Sequence, residues 1–193
     1  MSMKRFSRNF LPVFLLMLTA PLAGVQAAEG EFLYSAGQLA CVTGGNASVQ
    51  APSYLDCLRI GPIRVGDTLR TVSMKFGKAR QTVNRGPVTE RVYPISLNIP
   101  AGQPVPYWVI GFEGQRVVFI QISGNMPVEQ YALSSIRVGD TESKLLQQFG
   151  PAEVTRPVPQ IGAVMWGYKP YPVTFEIKNG RVFSMRVSEA IGK

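Results

Sequence analysis

The chain has 193 residues, 46% of them hydrophobic, and carries twenty lysine and arginine residues against twelve acids. It contains no histidine, which excludes Ser-His-Asp and Cys-His catalytic arrangements and the usual zinc sites. The length allows one domain or two small ones.

The first 27 residues have the parts of a secretory signal peptide. Three basic residues precede a mostly apolar run over residues 11–22, which is too short to span a bilayer. Val25 and Ala27 supply small residues at the two positions that signal peptidase reads. We therefore predict a signal peptide over residues 1–27, with cleavage after Ala28 as the near alternative.

The mature chain is expected to be periplasmic, with secretion beyond the periplasm as the alternative. No cysteine follows the apolar run at the cleavage site itself, which argues against a lipid anchor. No later run of about 18 apolar residues is present to span a membrane. Removing residues 1–27 takes away three basic and no acidic residues, so the formal charge falls from +8 to +5.

The N-terminal segment, residues 28–59, contains the two cysteines, Cys41 and Cys57. Because an exported chain meets an oxidising compartment, we expect a disulfide between them. A loop of this size adds roughly 3 kcal/mol of stability in the chain-entropy model. A redox pair is the alternative, but the Cys-x-x-Cys spacing is absent.

A six-residue sequence occurs twice. Residues 63–68, Ile-Arg-Val-Gly-Asp-Thr, recur at 136–141, and both copies continue to a Phe-Gly pair at the same offset of 73 residues. This indicates two tandem repeats, at residues 60–126 and 133–189. In each copy the aspartate or the threonine can cap a short helix, and the glycine of the Phe-Gly pair can end it.

Each copy also contains a predicted β-hairpin. In the first copy the hairpin strands are predicted at 107–113 and 116–123, and in the second at 173–177 and 181–188, around Asn179-Gly180. Further strands are expected at 91–99 and 163–168. The predicted fold class is α+β, with two helix-plus-antiparallel-hairpin repeats that form one sheet with short helices on one face.

Strand alternation assigns the two faces of these hairpins. In the second copy Phe183, Met185 and Val187 should meet the helix. In the first copy the helix-facing set is Trp108, Ile110, Phe112, Val118, Ile120 and Ile122. The opposite face then carries Tyr107, Val109, Gly111, Val117, Phe119 and Gln121, and it is much less polar than an exposed sheet face usually is.

Two surfaces are candidate sites for a protein partner. Phe119 with Tyr107 is the first, rimmed by Arg116, Arg91 and Arg64. Aromatic residues among the prolines of the second copy are the other, and they could equally form a platform on which a sugar stacks. The predicted partner-binding residues are Tyr107, Val109, Val117, Phe119, Arg116, Trp166, Tyr168 and Tyr171. In the alternative, the N-terminal segment from Phe32 to Cys57 covers the first surface as a lid.

The basic excess is concentrated between Arg59 and Arg91, a stretch that contains eight basic residues and only two acids. A solvated surface is one interpretation of this region. Binding of an anionic envelope glycan or lipid is another, and nucleic acid is not expected for an exported chain without a binding motif. The candidate residues are Arg64, Arg70, Lys75, Lys78, Arg80 and Arg85.

An enzyme is the least favoured interpretation. A carboxylate-dependent glycan hydrolase needs two acids in one cleft, about 5–10 Å apart. The acids are spread thinly, and Asp67 and Asp140 are accounted for as helix caps. Glu176 and Arg186 are expected to pair across the exposed face of the second hairpin. The sequence therefore predicts no catalysis, no cofactor and no metal.

The repeated pattern resembles a known family group. A glycine, a capped short helix, a hydrophobe-Gly pair and then antiparallel strands resemble the repeat of the β-lactamase inhibitor protein. The pattern is also similar to the single-unit small lipoprotein of the outer-membrane β-barrel assembly machinery. The matching residues are Gly66, Thr68, Phe76 and Gly77 in the first copy, and Gly139, Thr141, Phe149, Gly150 and Pro151 in the second. The first copy has Lys78 at the proline position and a longer insert before its hairpin.

This resemblance covers about Leu58 to Ser188. It implies a non-catalytic protein that presents its sheet or loops to protein partners in the envelope. The lipidated N-terminal cysteine of the lipoprotein relatives is lacking. The expected function is thus an exported protein–protein interaction module that acts in envelope assembly or in inhibition of a partner.

Overall fold

The computed structural model describes residues 30–43, 54–95, 102 and 104–189. The predicted signal peptide lies outside these ranges, as do residues 28–29 and 44–53 of the N-terminal segment and residues 96–99 of the strand predicted at 91–99. The elements in chain order are β1 (Glu31–Ser35), β2 (Gln38–Val42), a 3-10 turn (Tyr54–Cys57), β3 (Arg59–Ile60), β4 (Ile63–Arg64), α1 (Leu69–Phe76), β5 (Gln81–Arg85), β6 (Val88–Pro94), β7 (Tyr107–Glu113), β8 (Arg116–Ser123), α2 (Glu142–Phe149), β9 (Val154–Val158), β10 (Ala163–Gly167), β11 (Val173–Lys178) and β12 (Arg181–Ser188).

One antiparallel sheet of eight strands dominates the described residues, in the order β5-β6-β7-β8-β12-β11-β10-β9. Each half of the sheet is a four-stranded meander that follows one eight-residue helix. The expected α+β class with helix-plus-hairpin repeats is therefore wrong, because the protein is mostly β and each helix is followed by four strands. The polar edge strand β5 and the proline-containing edge strand β9 account for most of the difference.

The two halves meet through β8 and β12, the last strand of each. Residues 65 positions apart in the sequence occupy equivalent places in the two halves. The pairing is reciprocal: if a residue of β8 pairs with a residue of β12, their equivalents pair as well, as across a twofold axis. The paired residues are Met185 with Ile122, Arg186 with Gln121, and Val187 with Ile120. Arg186 and Gln121 are each other's equivalents, so this pair lies on the pseudo-twofold axis of the sheet.

The repeated hexapeptide forms the entrance to each helix. The Asp67 carboxylate accepts the Arg64 backbone N–H at 2.9 Å and closes a tight turn. The helix cap is the next residue, Thr68, whose hydroxyl accepts the Thr71 N–H at 3.2 Å. Asp140 and Thr141 make the same two bonds in the second copy, at 2.8 and 3.2 Å. The aspartates therefore form turns, and the threonines are the helix caps.

The hexapeptide glycine is required by the backbone. Gly66 and Gly139 both have φ +94°, a conformation that side chains rarely adopt. At Gly139 an added Cβ would also lie 2.8 Å from Cα of Pro127, whereas at Gly66 it would meet open space. Each glycine N–H bonds to the sheet, at Val117 O and Val182 O respectively, both at 2.8 Å. These bonds fix each helix on the sheet.

The hydrophobic core lies between the sheet and the two helices. Val72 of α1 and Leu145 and Phe149 of α2 are buried against it. The β1–β2 hairpin packs on the same side, since Phe32 is buried and its ring lies 5.7 Å from that of Phe149. The described part of the N-terminal segment is therefore not a lid over the opposite sheet face.

A β-bulge corrects part of the face assignment. The β7–β8 register shifts between Gly111 and Phe112, so that Phe112 pairs with Val117. Val117 is fully buried in the core, and Val118 is only half-buried. The predictions that Val117 is open and Val118 is in the core are therefore wrong, because the extra residue inverts the alternation.

The second copy has an equivalent bulge. The β11–β12 register shifts between Glu176 and Ile177, which brings Val182 opposite Ile177. Val182 is buried in the core and Phe183 is half-buried. Phe183 was expected to face the helix, and it is displaced for the same reason.

The predicted disulfide between Cys41 and Cys57 is confirmed, with a Cα–Cα distance of 5.9 Å. It joins β2 to the 3-10 turn. Within the described ranges, no helix has the length and apolar character needed to cross a membrane.

Candidate functional site: the open face of the sheet

The side of the sheet away from the two helices is the candidate site, and we call it the open face. Residues directly paired across antiparallel strands project to the same side. The register places on this side Glu90 and Val92 of β6, Tyr107, Val109 and Gly111 of β7, Phe119 and Gln121 of β8, Ser184 and Arg186 of β12, and Glu176 of β11.

Phe119 and Arg186 form the centre of the open face. Phe119 is only 6% exposed, although it projects away from the hydrophobic core. The Arg186 guanidinium lies over its ring, 3.9 Å from the centroid. A cation in this position is attracted by the negative face of the ring. The ring is thus held between the sheet backbone and a guanidinium.

Gly111 makes this arrangement possible. It pairs with Phe119 across β7 and β8. A Cβ at Gly111 would lie 2.1 Å from Cε1 of Phe119, so the ring occupies the space above the glycine backbone. An aromatic ring that covers a strand glycine restores packing that the glycine cannot supply.

Two carboxylates flank Arg186. Burial lowers the pKa of the Arg186 guanidinium, and the charges of Glu90 and Glu176 act in the opposite direction. Burial also raises the pKa of the Glu176 carboxyl, against the Ser184 hydrogen bond and the Arg186 charge, which lower it. Arg186 remains cationic at neutral pH, because arginine does not lose its proton in proteins. The charges of Glu90 and Glu176 thus partly offset the burial of the guanidinium.

Glu90 connects this centre to the sheet edge. Its carboxylate accepts a hydrogen bond from Nε of Arg85 at 2.9 Å. Arg85 lies on the edge strand β5, and Glu176 lies beyond Arg186 on β11. A row of alternating charge, Arg85, Glu90, Arg186 and Glu176, thus crosses most of the open face.

Next to the axis the polar groups are satisfied by one another. The Gln121 amide donates to the hydroxyls of Ser123 at 3.2 Å and Ser184 at 3.0 Å. These two hydroxyls are 3.0 Å apart and buried. Such a network fixes side-chain positions, because its members would be costly to leave unpaired once buried.

Apolar side chains lie beside the charged row. Tyr107 is 39% exposed, and Val109 and Val92 are half-buried. The open face therefore combines a fixed charged centre with an apolar flank.

The predicted partner-binding residues are only partly brought together. Tyr107, Val109 and Phe119 lie on the open face, but Val117 and Tyr168 are core residues. The Tyr168 hydroxyl donates to the Gly150 carbonyl at 3.2 Å, and burial raises its pKa strongly. Arg116 is exposed at the end of the β7–β8 hairpin, where it forms an ion pair with Glu189.

The second predicted surface, formed by Trp166, Tyr168 and Tyr171, is not an exposed aromatic platform, because these side chains pack in or against the hydrophobic core. Tyr171 packs edge-on against Phe32 and Tyr54, at centroid distances of 5.0 and 5.9 Å. Trp166 is half-buried against the core. Tyr171 therefore joins the sheet to the N-terminal segment, while Trp166 and the buried Tyr168 belong to the core packing.

The predicted basic cluster divides between two sides of the molecule. Arg85 lies on the open face, whereas Arg64 pairs with Asp56 at 3.4 Å. The other four candidates, Arg70, Lys75, Lys78 and Arg80, are exposed on and just after α1. Arg91, expected on the rim of the open face, instead lies on the helix side, 5.7 Å over the Phe112 ring.

The sequence interpretation missed the meeting of Phe119 with Arg186 and Glu90. Arg186 comes from the second half and the other two residues from the first, and only the β8–β12 pairing brings them together. A reciprocal pairing of the last strands of two tandem repeats was the signal that could have found it. Among the described residues no three His, Cys, Asp or Glu side chains cluster as metal ligands.

No protein-family model matches the chain, and no curated protein sequence matches it. Among solved structures, a cysteine-rich secretory protein from Staphylococcus aureus subsp. aureus Mu50 is similar with a TM-score of 0.42 at 14% identity, over 65% of this chain and 44% of that chain. A DUF4309 family protein from Bacillus subtilis subsp. subtilis strain 168 is similar with a TM-score of 0.40 at 17% identity, over 63% of this chain and 77% of that chain. This chain thus spans less than half of the staphylococcal structure, and similarity at this level carries no functional inference.

Proposed function

We propose that the chain is an exported, non-catalytic protein-binding module whose open face receives a partner protein. Its role would be envelope assembly or inhibition of that partner. The observation that carries the proposal is the centre of the open face, where Arg186 is stacked on Phe119, together with the exposed Tyr107 on the same face. Arginine, tyrosine and other aromatic residues are enriched at the energetic centres of protein interfaces.

The rigidity of this centre supports binding. The Arg186 guanidinium lies against the Phe119 ring, and the charges of Glu90 and Glu176 favour its cationic form. The neighbouring Gln121, Ser123 and Ser184 are hydrogen-bonded to one another. A surface that is ordered before binding loses less side-chain entropy when a partner arrives.

The state of the acids supports a non-catalytic role. Glu90 is paired with Arg85 and faces Arg186, and Glu176 also interacts with Arg186. An acid–base pair needs one carboxyl free to give a proton and another free to accept it. Glu90 is instead engaged in an ion pair with Arg85. The resemblance found in residues 58–188, to proteins that present their sheet to partners, favours the same function.

The test is site-specific photocrosslinking in exporting cells. A photoreactive residue replaces Tyr107 on the open face or Val164, which is 41% exposed on β10 and is the matched control. Val164 pairs with the core residue Ile177 and so projects to the helix side. We expect a discrete crosslinked protein, identified by mass spectrometry, from position 107 and not from 164.

The captured partner is then purified and its affinity measured. Loss of an interface tyrosine typically costs about 2 kcal/mol, so Tyr107→Asp should weaken binding roughly 30-fold. Val164→Asp should bind as the wild type does. A Tyr107→Asp variant that folds normally and binds fully would refute the assignment. Inhibition of a captured enzyme by the wild type, but not by Tyr107→Asp, would select the inhibitory role.

A further inference from the structure

The outer side of α1 carries a basic surface with no acid in its sequence. Residues 68–89 contain five basic residues and no aspartate or glutamate. Four of them are exposed and form none of the ion pairs found among the described residues. These are Arg70, Lys75, Lys78 and Arg80, which we call the α1 basic surface. Their charges are therefore available to an external anion.

An apolar side chain lies within this surface. Met74 is 71% exposed, more than any other large hydrophobic residue among those described. It follows Arg70 by four residues, so both lie on one side of the helix, and Lys75 is adjacent. Exposing a methionine to water among cations contributes nothing to folding.

The second copy shows that the fold does not require this surface. Positions 73 residues later are Ser143, Gln147, Gln148, Pro151 and Glu153. They replace Arg70, Met74, Lys75, Lys78 and Arg80, although both helices have the same cap and the same bonds to the sheet. In the second copy the basic residue near the helix start, Lys144, is paired with Asp140 at 2.8 Å. The α1 basic surface is thus specific to the first copy and is not dictated by helix formation.

We propose that the α1 basic surface docks on an anionic phospholipid bilayer, with Met74 inserted among the headgroups. Basic side chains near an anionic bilayer are attracted to its phosphates, and an apolar side chain between them gains by leaving water. A soluble polyanion would bind the basic side chains but would have no apolar region to contact Met74. The lipid surface is therefore the occupant that accounts for both features.

This docking goes beyond the proposed protein binding and is compatible with it. α1 packs on the helix side of the sheet, and the open face lies on the other side. A molecule held by α1 would turn its open face away from the bilayer.

The test is vesicle co-sedimentation of the exported, processed protein, with its N-terminus verified by mass spectrometry. The vesicles are phosphatidylcholine alone or phosphatidylcholine with phosphatidylglycerol. We expect binding only to the vesicles that contain phosphatidylglycerol, and it should weaken steeply as salt is raised. The charge variant is Arg70→Gln/Lys78→Gln. Its matched control, Arg156→Gln/Lys169→Gln, removes the same charge from exposed positions elsewhere.

The charge variant should lose roughly 30-fold in affinity, at about fivefold for each cation, and the control pair should lose little. Met74→Gln, which installs the residue of the second copy, should lose roughly tenfold and keep the same salt dependence. Thermal unfolding of each variant shows that the fold is retained. Tyr107→Asp should leave vesicle binding unchanged, so failure of this proposal and failure of the open-face proposal are distinguishable.

Three results would overturn the proposal. They are equal binding to the two kinds of vesicle, equal losses in the charge variant and its control, and full binding by Met74→Gln. In the last case, competition by a soluble acidic polysaccharide would identify a polymer as the ligand in place of a bilayer.

Discussion

Replacing Gly111 by alanine tests the packing at the centre of the open face. The new Cβ would lie 2.1 Å from the nearest atom of the Phe119 ring. Carbon atoms in ordinary contact are about 3.5–4.0 Å apart, so the ring must move by more than about 1 Å. Forced displacements of this kind typically cost about 1–3 kcal/mol. We expect Gly111→Ala to be destabilising by that amount and to disturb the Arg186 stacking.

Gly111→Ala should stabilise the protein, and not destabilise it, when the Phe119 ring has been removed. Alanine in a strand is roughly 0.5–1 kcal/mol more favourable than glycine. Phe119→Ala alone should cost about 3 kcal/mol, and adding Gly111→Ala to it should recover part of that loss. The double-mutant cycle should therefore show a coupling of about 1.5–4 kcal/mol between the two positions.

Urea unfolding followed by circular dichroism measures all four proteins of this cycle, and unchanged m-values would show that the free energies are comparable. The matched control is Gly167→Ala, a strand glycine where a Cβ would lie an ordinary 3.6 Å from Val154. It should be neutral or slightly stabilising. Strictly additive effects, or a Gly111→Ala variant as stable as the wild type, would refute the proposed packing of Phe119.

Three other features give predictions about stability. Gly139→Ala and Gly66→Ala should both be destabilising, because both strain the backbone. Gly139→Ala should cost about 1–3 kcal/mol more, because its new methyl group also collides with Pro127. Urea unfolding of the two variants measures the difference. Burial raises the pKa of Glu176 in the folded protein, so the free energy of unfolding falls as pH rises from the usual pKa of a glutamate through the raised one. Glu176→Gln cannot ionise, and its Tm at neutral pH should therefore be higher than that of the wild type. Reducing the disulfide between Cys41 and Cys57, which are 16 residues apart, should cost about 3 kcal/mol.

Each of these has a result that would contradict it. Equal losses from the two glycine variants would mean that the second helix entrance has room for a methyl group. A Tm difference at Glu176 that persists below its usual pKa of 4.5 would show a cause other than ionisation. A reduced protein as stable as the oxidised one would mean that noncovalent contacts, such as that between Phe32 and Phe149, are enough to hold the N-terminal hairpin.

Local patterns predicted several elements at their observed bounds. Strands β7 and β8 run from Tyr107 to Glu113 and from Arg116 to Ser123, as expected from the alternation of apolar residues around the turn. The repeated hexapeptide also predicted both helix entrances. These features depend on residues close together in sequence, where periodicity and turn chemistry are informative.

The elements that were missed lack such signals. The edge strand β5 has only one apolar residue, Val83, and β9 contains Pro157, so neither has the composition of a strand. The bulges at Val118 and Phe183 depend on how each strand meets its partner. The Phe119–Arg186 centre depends on pairing between residues 67 positions apart, since 186 − 119 = 67. A single sequence carries little direct information on contacts at that range.

The pairing of β8 with β12 resembles the contact between two identical subunits, but the two halves here have different sequences. A chain with one half alone could complete this sheet only by pairing with an identical copy, which would place the same residue twice on the axis. Two copies of Arg186 would then face each other and repel. Because both halves belong to one polypeptide, the axis instead holds an arginine opposite Gln121. Covalent linkage thus lets the middle of the sheet carry a single positive charge, which no homodimer of either half could display.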